Sequence, residues 1–359
     1  MILPMKRRWL LWLCAAVFFS VVTVLWIIVI RSYQDYQNIP LHHLIGNRPS
    51  SLKSLKENGF PFSFLVIGDT RGSEISEALV KQALMKGDPS FIVMLGDIVR
   101  KPDIWRHRFF LKEMMEYVKL KGPVFLTPGN HDIHDIDEGS QIKIRERQVT
   151  PEVYDGLYGA RNFNFIFNDC LFIICDIGKG KPGDLNYLRD TLSQNGKNRK
   201  HIFVFRHVPP NWLIFNNKSS PERDELSSLL ETYKVTTIFF GNYHGYVRVQ
   251  RAGVNYVISG GGGGRLKQVH GGEFHHILRI TVDADRIRED IISVPKHIEL
   301  DVRLEETVFI LLFPILQGGI WKFYAILVIL LAGTGYSILS LLRTFWHNRA
   351  NSKLSPEQK

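Results

Sequence analysis

Five short apolar runs of this chain each end in side chains that can bind a metal ion or move a proton. These side chains are Asp69, Asp97, Asn130 with His131, His207, and Asn242 with His244. One such aspartate is usually a cap or turn residue, and one such histidine is usually a hydrogen-bonded structural residue. Five such ends in one chain instead indicate a shared site. Carboxylate, amide oxygen and imidazole suit Mn, Fe and Zn ions, and a carboxylate-bridged pair of these ions activates water for attack on phosphorus.

The apolar runs that precede these residues predict buried β-strands. They occupy residues 62–69, 91–97, 124–132, 170–176, 201–207 and 236–244, and they are rich in Val, Ile and Phe. Helical periodicity lies between several of them, at residues 75–86, 105–119 and 184–194. Strands that alternate with helices predict an α/β fold, in which functional residues gather beyond the carboxyl ends of the strands.

In their order and spacing, these motifs resemble the calcineurin-like metallophosphoesterase superfamily over residues 62–294. The superfamily pattern is D-x-H, G-D, G-N-H-D/E, an isolated His and G-H-x-H, each at a strand end. The chain has Asp69-Thr70-Arg71, Gly96-Asp97, Gly129-Asn130-His131-Asp132, His207 and Gly241-Asn242-Tyr243-His244. The resemblance implies a four-layer α/β fold, in which two mixed β-sheets pack face to face and are flanked by helices. It also implies a metal-dependent phosphoric ester hydrolase that attacks a mono- or diester through a metal-activated hydroxide.

The resemblance further implies a role for each matching residue. Its ligand set consists of Asp97 as the bridge between two divalent ions (Mn, Fe or Zn), Asp69 and His244 on the first ion, and Asn130 and His207 on the second. His131 would not bind metal. It would contact the substrate phosphate and help the leaving group depart.

Two residues depart from the superfamily pattern. Arg71 and Asn242 stand where the pattern has histidine ligands. An arginine is always protonated and cannot coordinate a cation, whereas Asn242 still offers a weak oxygen ligand. The first ion is therefore expected to bind weakly, with Arg71 gripping a phosphate oxygen instead. The alternative is an impaired site that binds metal or phosphate without turnover, as in a membrane receptor or scaffold. Arg100 stands where purple acid phosphatases have an iron-binding tyrosine, so no iron–tyrosinate site is expected.

The two ends of the chain predict membrane anchors. Residues 9–30 and 323–342 carry no charge, and each is long enough to cross a bilayer as a helix. A cleaved signal peptide is the alternative for the first segment, but that segment is longer than usual and lacks a small-residue cleavage site. Basic residues flank both outer ends, which predicts that both termini are cytoplasmic and that the domain between them is periplasmic, luminal or extracellular.

These patterns predict seven segments along the chain. They are a cytoplasmic tail (1–8), a transmembrane helix (9–30), a linker (31–60), the metallophosphoesterase domain (61–296), a connector with an apolar interfacial segment (297–322), a second transmembrane helix (323–342) and a second cytoplasmic tail (343–359). A glycine run at residues 260–264 is expected to form a tight loop near the metal site.

Most of the net charge of +10 over 359 residues comes from the basic tails that flank the predicted membrane anchors. The two short tails together carry a net charge of +6 of this +10, so the basic composition does not predict a nucleic-acid partner. Three cysteines are too few for a disulfide scaffold. The expected partners are a phosphate-ester substrate and the membrane, with a lipid or glycolipid head group as one candidate substrate. The oligomeric state is left open.

Overall fold

The computed structural model describes residues 5–37, 43–134, 148–176, 185–215, 225–267, 271–294, 312 and 319–352. The chain divides into two units. One consists of Met1–Asn38 with Thr307–Lys359, and the other is Ile39–Glu306.

Eleven strands and nine helices are described. The strands are β1 Phe62–Ile67, β2 Phe91–Met94, β3 Val124–Leu126, β4 Phe163–Phe167, β5 Cys170–Cys175, β6 His201–Arg206, β7 Thr237–Phe240, β8 Tyr246–Arg251, β9 Val254–Ser259, β10 His276–Val282 and β11 Ile287–Ser293. The helices are α1 Met5–Gln37, α2 Pro49–Leu52, α3 Glu74–Met85, α4 Ile104–Lys112 with a π-helical turn at Glu113–Tyr117, α5 Pro151–Tyr158, α6 Leu185–Asn195, α7 Asn211–Phe215, α8 Glu225–Thr232 and α9 Trp321–Ser352. The strands and helices predicted from the apolar runs and the helical periodicity are all present, with ends shifted by a few residues.

The strands form two mixed sheets. The first has the order β11-β10-β1-β2-β3, and the second has the order β4-β5-β6-β7-β9-β8. Pairing is parallel along β1-β2-β3 and along β5-β6-β7-β9, and it is antiparallel at β1-β10, β10-β11, β4-β5 and β8-β9. The parallel runs bring the carboxyl ends of β1, β2 and β3, and likewise those of β6 and β7, to one edge of each sheet.

The sheets pack face to face through phenylalanines. Phe64 of β1 lies edge-to-face against Phe172 and Phe203 of the other sheet, at centroid distances of 5.5 and 5.2 Å. The alternate residues of these strands face helices, as Leu65 does with α3 and α4. Where both faces of a strand are covered, as in β2 and β5, the strand is apolar throughout rather than alternating. The predicted four-layer α/β arrangement is thus confirmed.

Residues 43–60, which fall in the segment predicted to be a linker, are built into this domain. The side chain of Asn47 donates to the Leu126 and Ala160 carbonyls at 2.7 and 2.9 Å, and it accepts the Leu126 N–H at 3.0 Å. Asn47 is buried, so it fastens the chain before β1 to the end of β3. The domain therefore begins earlier than residue 61, the start expected from the sequence.

The other unit is an antiparallel pair of long helices. Trp12 of α1 contacts Tyr336 of α9, whereas Trp26 donates to the Phe323 carbonyl at 2.9 Å. Trp9–Arg31 and Trp321–His347 have the length and composition that a membrane crossing requires, with mean hydropathies of 2.9 and 2.2. Most of the segment 308–321, predicted to be interfacial, lies outside the described residues.

Candidate metal centre

The loops after five strands carry the predicted site residues. Asp69 follows β1, Asp97 follows β2, Asn130 follows β3, His207 follows β6 and His244 follows β7. Main-chain hydrogen bonds join the loops to one another. The Asp69 N–H donates to the Gly96 carbonyl at 3.1 Å, and the Arg71 N–H donates to the Asp97 carbonyl at 2.9 Å. Both sheets thus contribute to one site.

Three acceptor atoms lie close together on one side of the site: His207 Nε2, Asn130 Oδ1 and Asp97 Oδ1. His207 donates through Nδ1 to the Leu95 carbonyl at 2.6 Å, so its proton is committed there. Its Nε2 lies 3.1 Å from Asn130 Oδ1 and 3.4 Å from Asp97 Oδ1. Three acceptors at these distances require a cation between them, which is either a proton or a metal ion.

The pKa shifts of Asp97 and His207 also indicate that this part of the site favours a positive charge. Burial opposes protonation of His207, but the hydrogen bond and charge of Asp97 raise the pKa of the imidazole to about 9. Burial also disfavours the Asp97 carboxylate, yet His207 and then Arg71 hold the pKa of Asp97 well below its usual range. A divalent ion would satisfy these acceptors in place of the proton.

Asp69 gives the clearest indication of a cation-binding site. Its side chain is fully buried, and neither carboxylate oxygen has a hydrogen-bond donor among the residues that the structure describes. His244 Nε2 lies 3.2 Å from Asp69 Oδ1. Ligand atoms of Asp69, Asp97 and His207 all lie within 4.8 Å of one another. A buried carboxylate without a donor is strongly unfavourable, so these residues fit a divalent ion.

Arg71 enters the other side of the site. Its Nη2 donates to Asp97 Oδ2 at 2.7 Å and lies 3.3 Å from His244 Nε2. His244 donates through Nδ1 to the Arg265 carbonyl at 2.6 Å, so the lone pair of Nε2 faces the guanidinium. Arg71 therefore links Asp97 and His244 into one hydrogen-bonded group.

His131 is hydrogen-bonded to another site residue, whereas the side chain of Asn242 is not, within the described part of the chain. The His131 main-chain N–H donates to Asp97 Oδ1 at 2.8 Å, while its Nδ1 bonds the Arg100 carbonyl at 2.8 Å. Its Nε2 is therefore the ring atom through which this partly exposed residue could reach a substrate. Asn242 lies in the turn after β7, where its main-chain carbonyl accepts from Lys267 at 3.4 Å. Among the described residues, no hydrogen bond joins the Asn242 side chain to the other predicted ligands.

Asp132 is a site residue that was not among the predicted ones, although it belongs to the GNHD motif. Its buried carboxylate accepts the N–H groups of Asp97 at 2.7 Å, Gly129 at 2.8 Å and Val99 at 3.2 Å. Burial, and then the charge of Asp97, raise the pKa of Asp132, whereas the bonds from Gly129 and Val99 lower it. Behind it, His107 lies 2.9 Å from the Asp132 carbonyl and 3.0 Å from the Tyr158 hydroxyl.

Glycines let the backbone approach the ligands closely. A Cβ on Gly129 would lie 2.1 Å from the Asp97 nitrogen, and one on Gly260 would lie 2.8 Å from Asp69 Oδ2. A Cβ on Gly264 would lie 2.8 Å from the His244 ring. The glycine run therefore packs against the site, as its position in the sequence indicates.

Four predicted site residues have a left-handed backbone. The φ angles are 56° at Asp69, 56° at Arg71, 53° at Asp97 and 60° at Asn242. Side chains other than glycine rarely adopt this conformation, and such strain is typical of functional sites.

Comparisons with known proteins agree with this geometry. The family model for calcineurin-like phosphoesterases matches residues 62–246. No match was found among curated proteins.

Solved structures with similar folds share little sequence identity with the chain. They include a purple acid phosphatase from yellow lupin, at 15% identity and a TM-score of 0.49, with 66% of this chain and 52% of that one covered. They also include GAP50, described as the anchor in the inner membrane complex of Plasmodium, at 15% identity, a TM-score of 0.43 and coverages of 69% and 95%. A dimetal phosphatase from Danio rerio has 13% identity, a TM-score of 0.42 and coverages of 65% and 99%. The chain thus spans about half the length of the lupin protein.

Proposed function

Because the chain belongs to the calcineurin-like phosphoesterase family, we propose that it is a metal-dependent hydrolase of a phosphate mono- or diester. The observation that carries the proposal is the buried Asp69 carboxylate, which has no hydrogen-bond donor in the described part of the chain and lies close to Asp97 and His207. A structural cluster of this kind would be neutralised by hydrogen bonds, whereas a metal centre leaves its ligand atoms available.

The proposed ligands form two halves that share Asp97. Asp69 and His244, with Asn242 as a further oxygen donor, form the first half; Asn130 and His207 form the second. Mn, Fe and Zn are the ions that this mixture of carboxylate, amide and imidazole favours. A bound divalent ion supplies the positive charge that makes water a nucleophile near neutral pH and stabilises the phosphoryl oxygens.

The remaining chemistry is proposed for two side chains. His131 is held by its main-chain bond to Asp97 Oδ1, so its ring is fixed beside the centre. With both ring nitrogens protonated, Nε2 would donate a hydrogen bond to the phosphate and then its proton to the leaving oxygen, which leaves a neutral imidazole still bonded to the Arg100 carbonyl. Arg71 would bind a phosphate oxygen with an N–H group, which stabilises negative charge in the transition state.

The membrane setting is a further part of the proposal. The antiparallel arrangement of α1 and α9 supports a hairpin whose outer ends lie on one side of the bilayer. With basic tails at both ends, residues 1–8 and 343–359 would be cytoplasmic, and the domain within 39–306 would lie outside the cytoplasm. Tethering to the bilayer favours a lipid or glycolipid phosphate head group as substrate.

One experiment tests the proposed activity. The full chain, purified in detergent, is assayed with bis(p-nitrophenyl) phosphate and p-nitrophenyl phosphate after addition of Mn²⁺, Zn²⁺ or Fe²⁺. We expect hydrolysis that a chelator removes and that Asp97→Asn lowers by a factor of at least about 100, because the shared ligand loses its charge. Asp88→Asn, at an exposed surface aspartate, is the control and should retain full activity.

The competing function is a metal- or phosphate-binding protein without turnover, which the replacement of a histidine ligand by Arg71 favours. Bound metal without hydrolysis of either probe, across all the ions, would support this function and contradict the hydrolase.

A further inference from the structure

We propose that the Arg71 guanidinium is the resident cation of the first half of the site, so that the centre binds a single divalent ion. This inference rests on the proposed function, because it concerns the same ligands. It differs from the two-ion centre that the motif pattern implies.

The guanidinium uses the atoms that a first ion would need. Arg71 Nη2 lies 2.7 Å from Asp97 Oδ2 and 3.3 Å from His244 Nε2. His244 has already committed its other ring nitrogen to the Arg265 carbonyl, at 2.6 Å. The one lone pair of this imidazole therefore faces an N–H group, and the same lone pair cannot also bind a metal.

Electrostatic interactions stabilise the position of the Arg71 guanidinium. The guanidinium places a fixed positive charge beside Asp97 and His244. Its side chain is 17% exposed, and the Asp97 side chain is fully buried, so water screens the pair only weakly. A dication placed beside Arg71 would meet a like charge at close range in this setting, and its binding would be disfavoured.

The other half of the site remains complete, and Asp69 of the first half lies close enough to join it. Asn130 Oδ1 and Asp97 Oδ1 face His207 Nε2, and the donor-free Asp69 carboxylate lies in the same cluster. Ligands of one ion with bonds of about 2.1 Å are separated by about 3–4 Å. The ligand atoms of Asp69, Asp97 and His207 all lie within 4.8 Å of one another, which is close to that range. One ion can therefore take Asp69, Asp97, Asn130 and His207 as ligands.

Metal content tests this proposal without any assay of activity. The full chain in detergent is stripped with a chelator, loaded with excess Mn²⁺ and desalted, and the bound metal is measured by mass spectrometry. We expect about one ion per wild-type chain and about two per Arg71→His chain, since that substitution removes the cation and adds an imidazole. Electron paramagnetic resonance should show an isolated Mn²⁺ ion in the wild type and an exchange-coupled pair in the variant.

Arg286→His provides a matched control, because Arg286 is an exposed residue between β10 and β11. It should leave the metal content at one ion. Two coupled ions in the wild-type chain would overturn the single-ion proposal, and hydrolysis by that chain would leave the proposed function intact. One ion in both the wild type and Arg71→His would show that the guanidinium does not exclude the second ion, and would also overturn it. A chain that binds no ion and hydrolyses neither probe would contradict both proposals.

Discussion

The Asp132 carboxylate accepts the main-chain N–H of Asp97 at 2.7 Å, so one acid of the GNHD motif holds the proposed bridging ligand by its backbone. The same oxygen accepts the Gly129 N–H at 2.8 Å. The loops after β2 and β3 are therefore joined through a single side chain, and the positions of Asp97 and Asn130 depend on a residue that need not touch an ion.

Asp132→Ala should destabilise the domain and weaken metal binding together. The substitution leaves three main-chain N–H groups without their acceptor, at about 1–3 kcal/mol each. Together with the cavity, the expected loss is on the order of 5 kcal/mol, or roughly 10–20 °C in melting temperature for a domain of this size. The readout is thermal unfolding of the full chain with and without Mn²⁺.

Asp88→Ala is the matched aspartate control. Asp88 is exposed and pairs with Lys121 at 3.4 Å, so its loss should change the stability by less than about 1 kcal/mol. Equal melting temperatures for the two variants would refute the bracing role of Asp132.

Gly129→Ala should abolish metal binding. Its Cβ would lie 2.1 Å from the Asp97 nitrogen and 2.4 Å from Asp97 Oδ1, and backbone at that distance cannot make room without moving the ligand. Gly156→Ala is the control, because nothing lies within 4 Å of its Cβ and it stands within α5. The control should gain up to about 1 kcal/mol from helix propensity. Calorimetric titration with Mn²⁺ measures both, and unchanged affinity in Gly129→Ala would contradict the close approach.

His107 should make the stability fall in mild acid. It is fully buried, and this burial lowers its pKa from 6.5 to about 4, although its bond to the Asp132 carbonyl acts in the opposite direction. The unfolded chain takes up a proton below about pH 6.5, whereas the folded one does not until about pH 4. The contribution of His107 to stability is therefore constant above this range and falls by about 3 kcal/mol across it.

His107→Gln removes this titration while keeping a side chain able to form hydrogen bonds. Melting temperatures at pH 7.5 and pH 4.5 should differ less in this variant than in the wild type. His276, which is also buried with a pKa lowered to about 4, contributes to both chains in the same direction. His201→Gln, at a half-buried position at the start of β6, should keep the wild-type difference. An equal pH response in His107→Gln and wild type would count against the prediction.

The proposed topology predicts opposite results for two reporter fusions. A reporter that works only in the cytoplasm should be active after Lys359, because the hairpin returns the chain to its starting side. A reporter that works only after export should be active when fused to a chain ending at Val294. Export of the reporter at Lys359 would show that the chain crosses the bilayer in another way.

The sequence predicts the ligand positions well because parallel strands impose a simple rule. The apolar runs of β1, β2, β3, β6 and β7 end at one edge of each sheet, so polar residues at those ends must gather. Asp69, Asp97, Asn130 and His207 meet for this reason. Their identity as ligands stays a prediction until metal is measured.

Contacts between distant segments could not be predicted in this way. Arg71 could be recognised as a departure from the motif, but its bond to Asp97 depends on a backbone with φ of 56° and on a loop from another strand. Asn47 lies in a segment without strong periodicity, and its partners are Leu126 and Ala160, far along the chain. Asp132 was visible in the motif, but its role follows from which N–H groups surround it.

The left-handed backbone at Asp69, Arg71, Asp97 and Asn242 has a consequence for how this protein can evolve. Glycine would relieve backbone strain worth on the order of 1 kcal/mol at each position, before the loss of the side chain's own contacts is counted. Each such gain would remove a side chain proposed for the chemistry. Selection for thermal stability alone would therefore favour replacement of these site residues one at a time. A more stable descendant could keep the fold while losing the proposed reaction.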